Sequence, residues 1–186
     1  MAVTENKLSR KHLLDAMAQT AKGFIAQGHE HQAQIFLLLG SEREGYTVEH
    51  TAIIPMPAPT DHHAKDVVEA VLQQLVEPYD AYIFLSESWM VKIDKEQKEK
   101  IGGVIGHIKE QPDRIEVFML QFVAKLGALE SRSYEIKRDG PKPTLAEPEI
   151  SEKPMVGRFS NLYDHARPDW EDVVFGDAVP PKEKGN

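Results

Sequence analysis

The chain has 186 residues, no cysteine and a formal net charge of −8 at pH 7. The absence of cysteine excludes disulfides, thiolate metal sites and a cysteine nucleophile, and the acidic balance argues against direct nucleic-acid binding, which needs a basic surface. No signal-peptide-like apolar segment follows Met1, and no run of about 18 apolar residues could span a bilayer. We therefore expect a soluble cytoplasmic protein without a membrane partner.

The N-terminal part of the chain predicts a helix followed by a pair of strands. Apolar residues at helical spacing predict a helix over about 9–26, and Gly28 suits the position just past its end. Apolar runs at 35–39 and 46–54, separated by a polar turn, predict a β-hairpin. Alternation along the second strand predicts one shared face for Tyr46, Val48, His50, Ala52 and Ile54.

A second amphipathic helix precedes the strongest strand signal in the chain. Thr60 or Asp61 can cap this helix, and Pro78 closes it. The residues predicted to face a sheet are Ala64, Val67, Val68, Val71, Leu72, Leu75 and Val76. The apolar run from Ala81 to Met90 then predicts a central strand. Residues 92–111 combine helical spacing with three glycines, so they predict either a marginal third helix or an irregular excursion.

Two more strands and a tail complete the chain. The runs at 114–125 and 130–138 predict strands, the second an edge strand with Tyr134 and Ile136 facing inward. Seven of the 12 prolines follow Asp139. We therefore expect a globular domain at 1–139 and an extended, Pro-rich acidic tail at 140–186.

The predicted element order is α-β-β-α-β-(α)-β-β. Short turns between strands favour antiparallel pairing, and long helices with one apolar face can cover a sheet. The sequence therefore predicts an α+β fold: a mainly antiparallel sheet of about five strands, with two or three helices packed on one face.

Glu87 is the first candidate for chemistry, because strand alternation places it on the same face as Leu85 and Trp89. In one interpretation its apolar surroundings raise the pKa of the carboxyl, which would suit a general acid or base assisted by Arg114 and Glu116. In the other, Glu87 forms a structural ion pair with Arg114. The structural pair is favoured, since ion-pair networks produce the same pattern.

Histidines are the second candidate. His29 and His31 form a His-x-His pair that could bind a divalent metal together with His50 and a carboxylate. However, the pair follows a helix in a polar joint, and no His-Glu-x-x-His pattern occurs. Solvent-exposed histidines without a metal are the favoured interpretation, and we predict no cofactor.

Aromatic clusters at 159–163 and 170–175 interrupt the polar tail. Such clusters commonly dock on a protein surface, and docking on the same domain or on a second copy is favoured over a foreign partner. The residues predicted to bind are Trp89, Phe159, Tyr163, Trp170 and Phe175.

The segment Ser86-Glu87-Ser88-Trp89-Met90, followed by Pro112-Asp113-Arg114-Ile115-Glu116, resembles a motif in small uncharacterised proteins of bacteria and their phages. In that group a strand ending Ser-Glu-Ala-Trp-Met precedes a strand opening with Pro-x-Arg-x-Glu, and here Ser88 replaces the alanine. The resemblance covers roughly residues 60–138 and implies a shared fold without a known activity. It also implies that Glu87, Trp89, Arg114 and Glu116 form a linked set.

Three functional hypotheses follow. The first is a non-enzymatic protein-interaction module that self-associates or binds another protein through its tail. The second is a small hydrolase-like enzyme that uses Glu87 as acid or base, with or without a His-bound metal. The third is an acidic mimic of nucleic acid, which rests on the phage-like resemblance.

Overall fold

The structure is a computed structural model that describes residues 7–57, 61–91, 111–153 and 162–163. Within these ranges it contains two helices and seven strands. They are α1 (Arg10–Ala26), β1 (Gln34–Ser41), β2 (Gly45–Ile53), α2 (His62–Val76), β3 (Ala81–Met90), β4 (Ile115–Ala124), β5 (Leu129–Lys137), β6 (Thr144–Leu145) and β7 (Glu149–Ser151).

The strands form one sheet in the order β2-β1-β3-β4-β5-β6, and β7 also pairs with β5. Every pairing is antiparallel. The predicted α+β class and antiparallel sheet are confirmed, and the sheet is larger than the five strands expected. The possible third helix within 92–111 lies, except for Gln111, outside the described residues.

Local signals define the ends of α1. The side chain of Ser9 caps the helix by accepting a hydrogen bond from the backbone N–H of His12 at 3.3 Å. At the other end Gly28 adopts φ +81°, and its N–H donates to the carbonyl of Ile25. A residue with a side chain would be strained there, so glycine ends the helix as predicted.

The central strand β3 is buried on both faces, from Ala81 through Ser86. Ile83 and Leu85 belong to the apolar cluster that contains the buried face of α1, whereas Tyr82 and Phe84 belong to the cluster that contains α2. The two helices therefore cover opposite faces of the sheet, which corrects the prediction that they share one face. The physical reason is that β3 is apolar on both sides, and each side must be removed from water.

A β-bulge in β2 changes which residues share a face. The register with β1 shifts between Leu37 and Leu38, which leaves Glu49 as an extra residue. Tyr46 therefore packs in the α1-side cluster, while Ala52 packs against the α2-side cluster. The predicted single face from Tyr46 to Ile54 is wrong, because one extra residue inverts the alternation of side chains.

The apolar face of α2 is wider than the surface that covers it. Leu72 and Val76 are buried against the sheet, but Val67, Val71 and Leu75 are 50%, 57% and 36% exposed. We call these last three residues the outer stripe of α2. The prediction that all the apolar residues of α2 pack on the sheet is wrong for this stripe.

The start of the predicted tail extends the sheet. β6 pairs with β5 at Ile136 and Lys137, and β7 pairs with β5 at 131–133. Tyr134 and Ile136 are buried as predicted, but β5 is not an edge strand, because these two short strands line its outer side.

Leu162 and Tyr163 are also docked on the domain. Both are buried in the α2-side cluster. The N–H of Leu162 donates to the hydroxyl of Tyr82 at 2.9 Å, and the hydroxyl of Tyr163 lies 3.1 Å from the carbonyl of Val76 and 3.0 Å from that of Tyr79. These contacts fasten the chain to the end of α2.

We predict that Tyr163 is a structural anchor. The Tyr163→Ala variant should lower the free energy of unfolding by about 3–5 kcal/mol, because it removes a buried aromatic ring. The Tyr163→Phe variant keeps the ring and should lose only about 1 kcal/mol, the contribution of the hydroxyl hydrogen bonds. Urea unfolding of both variants measures the difference, and a loss below about 1 kcal/mol for the alanine variant would contradict the anchoring role.

Candidate functional site

The ends of β3, β4 and β5 bring a group of polar side chains together. Antiparallel pairing places Trp89 opposite Glu116 and Glu87 opposite Phe118, so Glu87, Trp89 and Glu116 share the α1 face. Together with His31, Arg114 and Arg138 they form what we call the strand-end cluster. The linked set implied by the sequence resemblance is therefore adjacent in space.

Glu87 is held by a backbone group. Its Oε1 accepts a hydrogen bond from the N–H of His31 at 2.8 Å. Burial raises the pKa of the Glu87 carboxyl above its ordinary value of 4.5, and the nearby charge of Glu116 adds to the increase. The His31 N–H and the charge of Arg138 act in the opposite direction by favouring the ionised form.

Arg114 contacts Trp89 instead of pairing with Glu87. Its guanidinium carbon lies 5.0 Å from the centroid of the Trp89 ring, within the range of a cation–π contact. Its Nη1 donates to the carbonyl of Gln111 at 3.1 Å. The predicted ion pair between Glu87 and Arg114 is therefore replaced by two separate interactions. Trp89 is 41% exposed, so this stack lies at the surface.

Glu116 forms a bidentate ion pair with Arg138. The Nε and Nη2 atoms of Arg138 lie 2.6 Å from the two carboxylate oxygens of Glu116. This hydrogen bonding raises the pKa of Arg138. Both oxygens of Glu116 are thus occupied, which favours a structural role for this carboxylate over the predicted catalytic one.

The imidazole of His31 lies between two aromatic rings, with centroid distances of 5.2 Å to Phe24 and 5.3 Å to Phe118. Its Nε2 is buried and has no hydrogen-bond partner among the described residues. The neighbouring His29 packs on the same Phe24 ring at 5.6 Å. Ring contacts therefore add to the hydrogen bonds that hold the segment after α1.

The three histidines proposed as metal ligands do not meet. His29 and His31 lie beside Phe24, whereas His50 contacts Tyr79 at 5.9 Å on the α2 side of the sheet. Within the described ranges, no group of three histidine or acidic side chains is arranged to hold a metal ion. The β2 bulge contributes to this separation, because it turns His50 toward the α2 face.

The predicted docking residues have different outcomes. Tyr163 is buried on its own domain and Trp89 is part of the strand-end cluster. Phe159, Trp170 and Phe175 lie outside the described residues. No helix in the described part of the chain is long and apolar enough to cross a membrane.

Sequence reasoning missed His31 and Arg138 as members of the cluster. Arg138 had a usable signal, because it continues the alternation of Tyr134 and Ile136 along β5 and so points toward the same face. His31 contributes its backbone N–H, which every non-proline residue possesses. No residue pattern could therefore have identified it.

The outer edge of β2 is a second feature with functional potential. Among the described residues, only Leu8 pairs with this edge, through hydrogen bonds to Tyr46 of 2.9 and 2.8 Å. The N–H of Ile54 donates to Ala33 beside β1. Because N–H groups alternate along a strand, those of Thr51 and Ile53 point away from β1 and toward the outer edge of β2.

No protein-family model matches the chain, and neither a curated protein nor a solved structure matches it. The strand-end cluster and the exposed surfaces of the fold are therefore the features that bear on its function.

We predict that titration of Glu87 destabilises the folded chain as the pH rises. A carboxyl with a higher pKa in the folded state binds more protons when folded, so stability falls between the unfolded and folded pKa values. The Glu87→Gln variant keeps an oxygen that can accept from His31 but cannot ionise, and it should not show this fall. Urea unfolding from about pH 4 to about pH 8 measures the difference. A constant difference between the two proteins would contradict the prediction.

A second variant tests the electrostatic link within the cluster. Glu116→Gln removes the negative charge that raises the pKa of Glu87 and releases Arg138 from its ion pair. Both changes favour the ionised form of Glu87, so its pKa should decrease. The ¹³C chemical shift of the Glu87 carboxyl, followed by NMR against pH, measures this value. An increase would contradict the assigned geometry.

Proposed function

We propose that this protein is a non-enzymatic interaction module that self-associates through the outer edge of β2. One observation supports this most directly: the two sides of the sheet end differently. β6 and β7 line β5, whereas only Leu8 lines β2 within the described residues. An uncovered edge presents backbone groups that readily pair with another strand.

The part of β2 that follows the bulge has no strand beside its outer edge among the described residues, and it suits pairing with a second copy. Residues 50–53 follow the bulge, carry outward N–H groups at Thr51 and Ile53, and precede Pro55, which cannot donate. Two such segments in antiparallel orientation would meet around a two-fold axis and form one continuous sheet. The 60% exposure of Ile53 adds apolar surface beside this contact.

The bulge and the net charge limit the strength of this association. Glu49 interrupts the regular edge, so only a short segment is available for pairing. The formal charge of −8 on each copy causes mutual repulsion, which salt screens. We therefore infer a reversible association that strengthens with increasing ionic strength.

We predict that Thr51→Pro prevents self-association without unfolding the domain. Proline removes the outward N–H of Thr51, and proline is tolerated at edge positions whose N–H does not pair within the sheet. Thr51→Val is the matched control, because it keeps both the N–H and a β-branched side chain. Molar mass in solution, measured by light scattering over a range of concentrations, should fall to the monomer value only for the proline variant.

Two outcomes would contradict the proposal. A wild-type chain that stays monomeric at all concentrations would exclude self-association. A Thr51→Pro variant that associates like the wild type would exclude the β2 edge. Circular dichroism of both variants checks that the fold is retained.

A small enzyme that uses Glu87 as acid or base is the second candidate function. It is favoured by one observation, the raised pKa of a partly buried carboxyl whose position is fixed by the His31 N–H. However, Glu116 is paired with Arg138, and Arg114 stacks on Trp89. The two residues predicted to assist Glu87 in catalysis are therefore engaged in other contacts. For this reason the interaction module is the preferred proposal.

A further inference from the structure

The outer stripe of α2 is an exposed apolar surface. Val67, Val71 and Leu75 follow one another at intervals of four residues and so lie along one side of the helix. Each is at least 36% exposed. Single exposed aliphatic residues are ordinary, but a row of three beside the buried Leu72 and Val76 indicates a surface that another segment covers.

We propose that residues 170–175 of the same chain cover this stripe. The segment contains four apolar residues among acidic ones: Trp170, Val173, Val174 and Phe175. Residues 164–186 lie outside the described ranges, and Tyr163 is the last described residue before them.

The contacts of Tyr163 place this last described residue before the segment beside α2. The hydroxyl of Tyr163 lies 3.1 Å from the carbonyl of Val76, one residue from the end of the stripe at Leu75. The chain is therefore already fastened to the last turn of the helix. The residues that follow Tyr163 can therefore continue along the preceding turns of α2 without a second attachment point.

The linker between Tyr163 and Trp170 is long enough for residues 170–175 to reach the outer stripe. Residues 164–169 separate Tyr163 from Trp170 and can span up to about 20 Å when extended. The stripe runs about 12 Å along the helix axis from Leu75 to Val67. Residues 170–175 can therefore reach every part of it.

The size of the stripe favours the tail over a second copy of the chain. Three aliphatic side chains that are about half exposed present on the order of 200 Å² of apolar surface. A stable contact between two proteins needs about 800 Å² from each partner. A tethered segment needs far less area, because attachment at Tyr163 has already removed most of the entropic cost of association.

The fluorescence of Trp170 tests the proposal in the full-length chain. The chain has two tryptophans, so a Trp89→Phe background leaves Trp170 as the only emitter. Docked on α2, Trp170 should show blue-shifted emission and a rate of acrylamide quenching several-fold below that of free tryptophan amide. Val71→Asp places a charge in the middle of the stripe and should return both values to those of the free compound.

Ala70→Asp is the matched control. Ala70 is exposed on the same helix but lies off the stripe, and the substitution introduces the same charge. It should leave the emission and quenching of Trp170 unchanged. Circular dichroism of both aspartate variants checks that they keep the fold.

Three results would overturn the proposal. Quenching of Trp170 at the rate of free tryptophan amide in the Trp89→Phe background would show that the segment is not docked. Protection that survives Val71→Asp would assign the segment to another surface. Protection that disappears on dilution would show that residues 170–175 dock on a second copy and not on their own chain.

Discussion

The burial of β3 on both faces is the constraint on which the rest of the structure depends. Its first six residues, 81–86, are all buried. Backbone groups of such a strand must be paired on both sides, and its side chains must be covered above and below. β1 and β4 supply the pairing. The two helices supply the cover, one on each face.

The two faces are closed in different ways. On one face α1 carries Asp15, which pairs at 2.6 Å with the buried Arg132 of β5. Glu130 pairs with the same guanidinium at 2.7 Å. Arg132 lowers the pKa of Asp15, mainly through their hydrogen bond.

On the other face α2 covers less of the sheet, and Leu162 and Tyr163 fill part of the α2-side cluster. Leu162 and Tyr163 are therefore part of the core.

The sequence predicted the elements better than their arrangement. Periodicity located α1, α2 and the long strands, because alternation and helical spacing are local properties. It could not determine which face each helix covers. The continuous apolar runs of β3 and β4 are typical of strands that are buried on both sides, which agrees with one helix on each face and not with two helices on the same face. The bulge at Glu49 left no local signal, so the predicted single face of β2 was wrong.

In the candidate site, too, the sequence predicted which residues share a strand face but not which groups they contact. Alternation correctly grouped Glu87 with Trp89, and the pairing of β3 with β4 brought Arg114 and Glu116 beside them. The partners were not predictable in the same way, because they depend on register and on backbone groups. A one-residue difference in register would have exchanged the faces. Arg138, which follows β5, pairs with Glu116. The N–H that binds Glu87 belongs to His31, which lies 56 residues earlier in the chain.

The position of the strand-end cluster follows from where the cover of β3 ends. Glu87 and Trp89 are on the face of Ile83 and Leu85, but burial decreases along the last four residues of the strand. An apolar side chain there would be only partly removed from water, whereas polar groups can pair with one another and keep some hydration. The cluster joins three strands and the segment before β1 at this point. The ion pair and hydrogen bonds of the cluster therefore hold the strand ends together where there is little apolar packing.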